Sequence, residues 1–499
     1  MGGRSGDGRL RYRRDVGLPT AQGTCGDSDR PVAYRVVLTN PDAEGPVPFE
    51  FSETSVMIAQ RQPDSAGLAP TDATLVVWKT YLQAGLVSTW ASCVAPPRPA
   101  WSAWCDPLAG AIRADWRRTP MPREFAVIGC GSRANIGLNI PRIDPDAKVT
   151  VAVDPYDDGQ ARARELFGDE VRLYTDVDQM LAAETDLAGA LITSPDCEHA
   201  EQAEKTLRAG IPTYLEKPMA IHTEDADRLL AVAAETGTRL FVGHNMRFMG
   251  VVSIMKKLID EGAIGPVRAI WCRHFVGFGA DAYFRDWHVE RRYGNTLLLQ
   301  KGAHDIDVIH YLAGAYTERV QAFGALAVFG DTPDKLPSKG LRYSDDRFPM
   351  NKGMAPEITG LNAELDMEDL AQVNMVLEGG ILASYQQCHF TPDYWRNYTV
   401  IGDLGRLENF GDGEGGVVKV WNQRVNMAYE ADREIAITGD YGGHTDADLL
   451  IMTEFLAYAA GEIDQTRVQS VAARNAVATA VAAAESMRNG GVPIDVPKP

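Results

Sequence analysis

The chain has 499 residues, 45% of them apolar and 23% charged, which is enough for two or three domains with cores of their own. A formal charge of −19 argues against nonspecific binding to nucleic acid or anionic membranes, and no run of about 18 apolar residues is present to span a bilayer. Seven cysteines, odd in number and without metal-type spacing, point away from a disulfide framework or metal centre and towards a reducing cytoplasm.

Residues 1–120 stand apart. They hold 13 basic and 12 acidic side chains, five of the nine tryptophans and 12 of the 28 prolines, so the negative balance belongs to the rest of the chain. "RLRYRRDVG" carries an arginine pair, but no apolar stretch follows to make an export signal. "ATLVVW" reads as a strand and "CVAPPRPAWSAWC" as a proline-broken loop. Two readings are open: an added module, or an upstream extension that is non-native or disordered. The second is favoured, because Met121 begins "MPREFAVIGCG", an ordinary start for a domain whose first strand is N-terminal. No function is assigned to this stretch.

From residue 121 to 245 the pattern is regular. "EFAVIGCG" is an apolar strand running into glycines, and "VTVAVD" is a second strand ending at Asp154. "QARARELFG" and "DVDQMLAAE" are helical, "LAGALITSP" is a strand, and "EHAEQAEKTLRAG" is a helix stopped by Gly210. "TYLEKP", the helix "TEDADRLLAVAAETG" and the strand "RLFVGHN" follow. Strands alternating with helices, with continuous apolar strand runs, predict a doubly wound parallel sheet. Residues 246–499 predict a second, α+β domain. It has an amphipathic helix at "VVSIMKKLIDEGAIG", a helix at "AHDIDVIHYLAG", and several long strands in a largely antiparallel sheet. Glu378-Gly379-Gly380 is the expected hairpin turn between two of them. Residues 330–367 are polar and irregular, and helices are expected over 446–488.

Gly129-Cys130-Gly131-Ser132-Arg133-Ala134 lies where the first strand turns into a helix. Glycines there permit a tight turn and close backbone approach to a pyrophosphate, which a helix N-terminus stabilises. Ala134 takes the third, small position. Asp154 ends the second strand, placed to accept hydrogen bonds from an adenosine ribose. Its charge would repel a 2′-phosphate, which favours NAD over NADP.

"VIGCGSRA", "LITSPDCEHAEQAEKTLRAGIPTYLEKPMA" and "GNTLLLQKGAHDIDVIHYLAG" together resemble the Gfo/Idh/MocA family of sugar and inositol oxidoreductases. The resemblance runs from about residue 123 to the C-terminus. It implies a Rossmann domain followed by an α/β domain whose open sheet packs on a neighbouring subunit, hence a homo-oligomer, with the active site between the domains. Lys217 lies at the carboxyl end of a strand, where ligands bind in doubly wound sheets. A cation there can hold a substrate hydroxyl beside a nicotinamide and stabilise the alkoxide; a solvated lysine paired with Glu216 is the plainer alternative. The resemblance favours the catalytic role, and implies that the bond before Pro218 is often cis. Glu216 is assigned to anchoring the loop or the cofactor side.

His304 matches the family's catalytic histidine position, and an imidazole can take the hydroxyl proton of an alcohol. If the helix extends back to 300, Gln300 and His304 share one side with Asp307, which is expected to orient the imidazole or meet the substrate. Many family members carry aspartate where Gln300 stands. Glutamine binds a hydroxyl but cannot relay a proton, which leaves Lys217 and His304 as the chemical pair and weakens inositol as the substrate. Lys301 is read as a surface partner of Asp305. Ser194 and Pro195 are placed near the nicotinamide ribose, Asn245 and Arg247 between cofactor and substrate, and Trp287 with Tyr283, Arg285 and His288 against a polyol face. His199 and His310 are read as packing residues. The expectation is a cytoplasmic, NAD-dependent oxidoreductase acting on a secondary alcohol of a sugar, sugar derivative or cyclitol. Two alternatives are an NAD-dependent hydrolase or lyase of the same fold and a noncatalytic dinucleotide sensor.

Overall fold

The structure is a computed structural model, and it describes residues 32–38, 55–57, 75–78, 81–83, 86–93, 123–277, 280–342, 353–424, 430–438 and 445–499. It divides into two units, residues 1–119 and 120–499. In the first unit the described residues are five strands: β1 (Val32–Leu38), β2 (Ser55–Met57), β3 (Leu75–Trp78), β4 (Tyr81–Gln83) and β5 (Leu86–Cys93). They form one antiparallel sheet with β5 between β1 and β3. β3 is the strand expected in "ATLVVW"; the other four carry too little periodicity to have been anticipated.

The second unit begins with β6 (Arg123–Ile128), β7 (Ala147–Val153), β8 (Arg172–Tyr174), β9 (Gly189–Ile192), β10 (Thr213–Leu215) and β11 (Leu240–Val242). Helices α1 (Asp157–Phe167), α2 (Val177–Ala183), α3 (His199–Arg208) and α4 (Thr223–Thr236) alternate with them. All pairings are parallel and the spatial order is β11-β10-β9-β6-β7-β8. The order reverses between β6 and β9, the switch point at which such sheets bind ligands. Phe125 and Val127 pack on one face of the sheet, and Ala126 and Ile128 on the other. Both faces are therefore dry, which is why these strands read as unbroken apolar runs. The segment after the glycine turn is a 3₁₀ helix, Ser132–Asn139, rather than the expected α-helix, and Pro141 then removes an amide N–H from the short turn that follows.

The second domain starts with α5 (Gly250–Asp260) and β12 (Val267–Phe275) and continues through α6 (Leu297–Gln300) and α7 (Gly302–Ala313). Strands β13 (Thr317–Ala325), β14 (Leu370–Leu377), β15 (Leu382–Cys388), β16 (Trp395–Gly402), β17 (Arg406–Phe410), β18 (Val417–Trp421), β19 (Arg433–Ala436) and β20 (Ile494–Asp495) complete a nine-stranded sheet. Only β12 and β15 pair in parallel. Gly379 and Gly380 take positive φ in the turn between β14 and β15, as the sequence predicts. One face of this sheet is covered by α5 and α7, and the other leaves Trp271, Phe323 and Leu382 more than half exposed.

Two C-terminal helices, α8 (Thr445–Ala459) and α9 (Ser470–Arg488), tie the domains together. Phe455 of α8 packs edge-on against Phe125, Tyr214 and Phe241, so this helix closes a face of the first sheet. In α9, Ala473, Ala476 and Ala480 enter one core and Ala478, Ala482 and Ala483 the other. Small side chains on both faces let the helix sit between the two cores. From the 330–367 segment, Ile358, Leu361 and Met367 pack with Phe329 on Phe284, Val289 and Leu297 as a separate small core. Among the described residues no helix is long and apolar enough to cross a membrane.

Candidate active site

A cleft of about 630 Å³ opens at the switch point, within the usual range of roughly 300–1,000 Å³ for a small-molecule site. Its floor is the turn at Gly129. Gly129 has φ +84°, and a Cβ on it would lie 2.3 Å from Ser194 Cα, so only glycine lets the β6 and β9 loops meet. Gly129→Ala is therefore expected to lower stability by about 3 kcal/mol or more, measured by urea unfolding, and to weaken dinucleotide binding. Wild-type stability and affinity in this variant would contradict that geometry. Gly131, Ser132, Ser194 and Pro195 also line the cleft. Ala134 does not; it is fully buried in the adjoining core.

Asp154 lines the same wall and staples the loop. Its Oδ2 accepts from Cys130 N at 2.9 Å and its Oδ1 from Tyr156 N at 3.0 Å. Each oxygen retains a second lone pair for a ligand hydroxyl. Arg133, expected on the cofactor, lines the cleft, with its guanidinium held by two acids. Its Nη2 lies 2.6 Å from Glu216 Oε1 and its Nη1 2.8 Å from Asp448 Oδ2 on α8. Asn245 donates to the other Asp448 oxygen at 2.8 Å. Burial pushes the Glu216 carboxyl up, but the Arg133 and Lys217 charges more than offset it and hold it below the usual range. Glu216 thus anchors the loop that carries Lys217.

Lys217 follows β10, and its peptide bond to Pro218 is cis. Its Nζ donates to the Gln300 carbonyl at 2.9 Å, bridging the Rossmann strand end to the last residue of α6. Gln300 is buried; its Nε2 donates to the His288 carbonyl at 2.6 Å, while its Oε1 has no hydrogen-bond partner among the described residues. A Cβ at residue 294 would lie 1.7 Å from that Nε2, so Gly294 makes the room. His304, in the first turn of α7, is 4% exposed and lines the cleft with Gln300 and Lys217. The ring of His244 meets it edge-on, with centroids 6.1 Å apart. Trp287 stacks on His288 with centroids 3.8 Å apart, and Asp286 bonds the His288 ring, forming an aromatic wall opposite the sheet.

Two expectations are overturned. Asp307 neither orients His304 directly nor reaches the cleft: it is fully buried, and both of its oxygens receive Arg247 at 2.7 Å. Arg247 is withdrawn from cofactor and substrate by the same pair and donates also to the Arg467 carbonyl at 2.8 Å. One helical turn beyond His304, the face of α7 has already passed under the protein. His244, which no sequence signal singled out, touches both groups, with Nδ1 3.8 Å from Asp307 and its ring against His304.

Asp196 is a second residue that sequence reasoning passed over. It lines the cleft, is 8% exposed, and has an Oδ2 without a partner among the described residues. Burial pushes its carboxyl up to about 7, against the opposing pull of Lys217. A folded value above the ordinary one gives stability that is fully present below about pH 4 and lost as pH rises through about 7. Asp196→Asn is expected to flatten the fall in urea midpoint between about pH 4 and pH 7; an unchanged slope would contradict this.

Comparisons with known proteins agree with this architecture. A family model described as "Oxidoreductase family, NAD-binding Rossmann fold" matches residues 123–244, and one described as "GFO/IDH/MocA C-terminal domain" matches residues 252–408. A 2,7-anhydro-N-acetylneuraminate hydratase of Mediterraneibacter gnavus is 29% identical over 233 residues, 45% of this chain and 59% of that protein. An inositol 2-dehydrogenase of Rhizobium meliloti is 26% identical over 217 residues, 43% of this chain and 63% of that protein. The chain thus spans under two thirds of either relative. A crystal structure of scyllo-inositol dehydrogenase from Lactobacillus casei with bound NAD(H) and scyllo-inositol has a TM-score of 0.56 at 21% identity, covering 75% of this chain and 99% of that one.

Proposed function

The chain belongs to the Gfo/Idh/MocA family of oxidoreductases, and from that premise we propose that it is an NAD-dependent dehydrogenase acting on a secondary alcohol of a sugar, sugar derivative or cyclitol. One observation carries the reading: Lys217, held at 2.9 Å from the Gln300 carbonyl, shares with His304 a cleft whose floor is the Gly129 turn. Residues of this cleft suit a dinucleotide. Gly129 and Gly131 give a bare backbone for a pyrophosphate, and Asp154 keeps lone pairs for ribose hydroxyls while its charge disfavours a 2′-phosphate. A dinucleotide held by these residues would supply a hydride acceptor in its nicotinamide ring.

Lys217 binds the reacting oxygen and stabilises its developing negative charge. His304 takes the hydroxyl proton, so the carbinol loses one hydride from carbon and one proton from oxygen to become a carbonyl. Gln300 accepts a neighbouring hydroxyl without relaying protons. The Trp287–His288 wall covers the apolar side of the ring. The same reading has the enzyme working in the cytoplasm as a homo-oligomer, a second copy covering the apolar residues on the open sheet face around Trp271 and Leu382.

The test is reduction of NAD and of NADP across a panel of sugars, sugar acids and cyclitols. Turnover of a panel member with NAD, and weaker turnover with NADP, is expected. The hydratase among the similar proteins favours a second reading, in which the hydride is returned and the net reaction is a hydration, elimination or hydrolysis. Product formation with no net NADH would identify it. Tight NAD binding without any product would mark a noncatalytic sensor.

A further inference from the structure

Lys301, the residue after Gln300, is a cation that forms no ion pair among the described residues. Lys301 lines the cleft and occupies the N-cap of α7, where it offers no acceptor to the first-turn amides. It is at the same time the C-cap of α6, so the cation stands at the junction of two consecutive helical segments. The pairing with Asp305 that the sequence suggests does not form: Asp305 is fully buried, with Arg396 Nε at 3.0 Å and His274 Nδ1 at 3.1 Å. Among the described residues Lys301 Nζ forms no ion pair. The contact it makes is with the Tyr283 ring, 5.5 Å from the centroid.

The acids of the substrate wall do not supply the missing charge. Glu216 is paired with Arg133, and Asp286 is bonded to the His288 ring. Lys301 therefore presents a positive charge to this part of the cleft with no ion pair among the described residues. In the same cleft, the buried Gln300 Oε1 and Asp196 Oδ2 are acceptors without donors among the described residues. An ammonium seeks an anion, while lone acceptors seek hydroxyls. Resting on the dehydrogenase reading above, we infer that the substrate is a sugar acid, its carboxylate bound by Lys301 and its hydroxyls donating to Gln300 and Asp196.

The experiment compares initial rates with NAD on matched pairs, glucose with glucuronate and gluconate, for the wild type, Lys301→Met and Lys301→Arg. The acid is expected to exceed its neutral partner in kcat/KM by about 10- to 100-fold, the worth of a charge-assisted hydrogen bond in a partly dry site. Lys301→Met should bring the two within a few-fold, and Lys301→Arg should restore most of the preference. Equal rates, a neutral preference, a stronger preference for glucose 6-phosphate, or a preference unchanged in Lys301→Met would each overturn the inference while leaving the dehydrogenase reading intact. If no pair turns over, calorimetric binding of the same compounds to the protein with NAD decides. Acid-selective binding lost in Lys301→Met supports the carboxylate site and counts against the dehydrogenase reading; absence of acid binding overturns the site.

Discussion

Lys217→Ala is expected to lower kcat/KM by about 10³-fold, with NAD affinity changed far less. The side chain stands at the carboxyl end of β10, and its ammonium reaches the carbonyl at the end of α6. Alanine removes the group that stabilises the alkoxide, and leaves the Gly129 turn and Asp154 in place to hold the dinucleotide. Lys217→Arg should not rescue, because a planar guanidinium spreads its charge over a fork that does not fit a site built round one ammonium. Steady-state rates on the best panel substrate, with NAD titrated separately, check this. An alanine variant with more than about a tenth of wild-type kcat/KM would be incompatible with a chemical role worth several kcal/mol.

Asp305→Ala is expected to destabilise the second domain by about 3–5 kcal/mol. The carboxylate lies wholly buried under α7 and receives the hydroxyl of Tyr385 at 3.2 Å, that of Tyr398, and the Arg396 guanidinium. Burial raises its pKa, but Arg396 and His274 outweigh burial and hold it well below the usual carboxylate range. His274 is itself pushed down to about 3 by burial and by Arg396, so at neutral pH it interacts as an uncharged ring. Because the Asp305 value is depressed on folding, its stabilisation is present above about pH 4 and lost only as pH falls through the folded value in strong acid. Removing it leaves Arg396 as an uncompensated buried cation. Urea unfolding at neutral pH and at about pH 4 checks both statements; a loss under about 1 kcal/mol would contradict the pairing.

The sheet, the glycine turn and the lysine at the end of β10 were legible because each is a local signal. A continuous apolar strand, a glycine at φ +84° and a Lys-Pro stop are written within a few residues. Helical spacing put Gln300, His304 and Asp307 on one side, and the first two do line the cleft. Spacing says which residues share a face, not how far the cleft runs along it, so Asp307 was misplaced by one turn. Long side chains were hardest. The Asp448 that takes Arg133 lies 315 residues further along the chain, and no local pattern links them. Arg247 and Lys301 failed in the same way: the first found Asp307 in the core, and the second lost Asp305 to Arg396 across the sheet.

The account stands on Lys217 and His304 acting on one bound dinucleotide, and a crystal structure of the protein with NAD tests that most directly. The pyrophosphate should lie over Gly129–Gly131, and the nicotinamide ring should face both Lys217 Nζ and the His304 ring across a gap that admits a sugar carbon. A nicotinamide turned away from either side chain, or a dinucleotide bound outside this cleft, would contradict it.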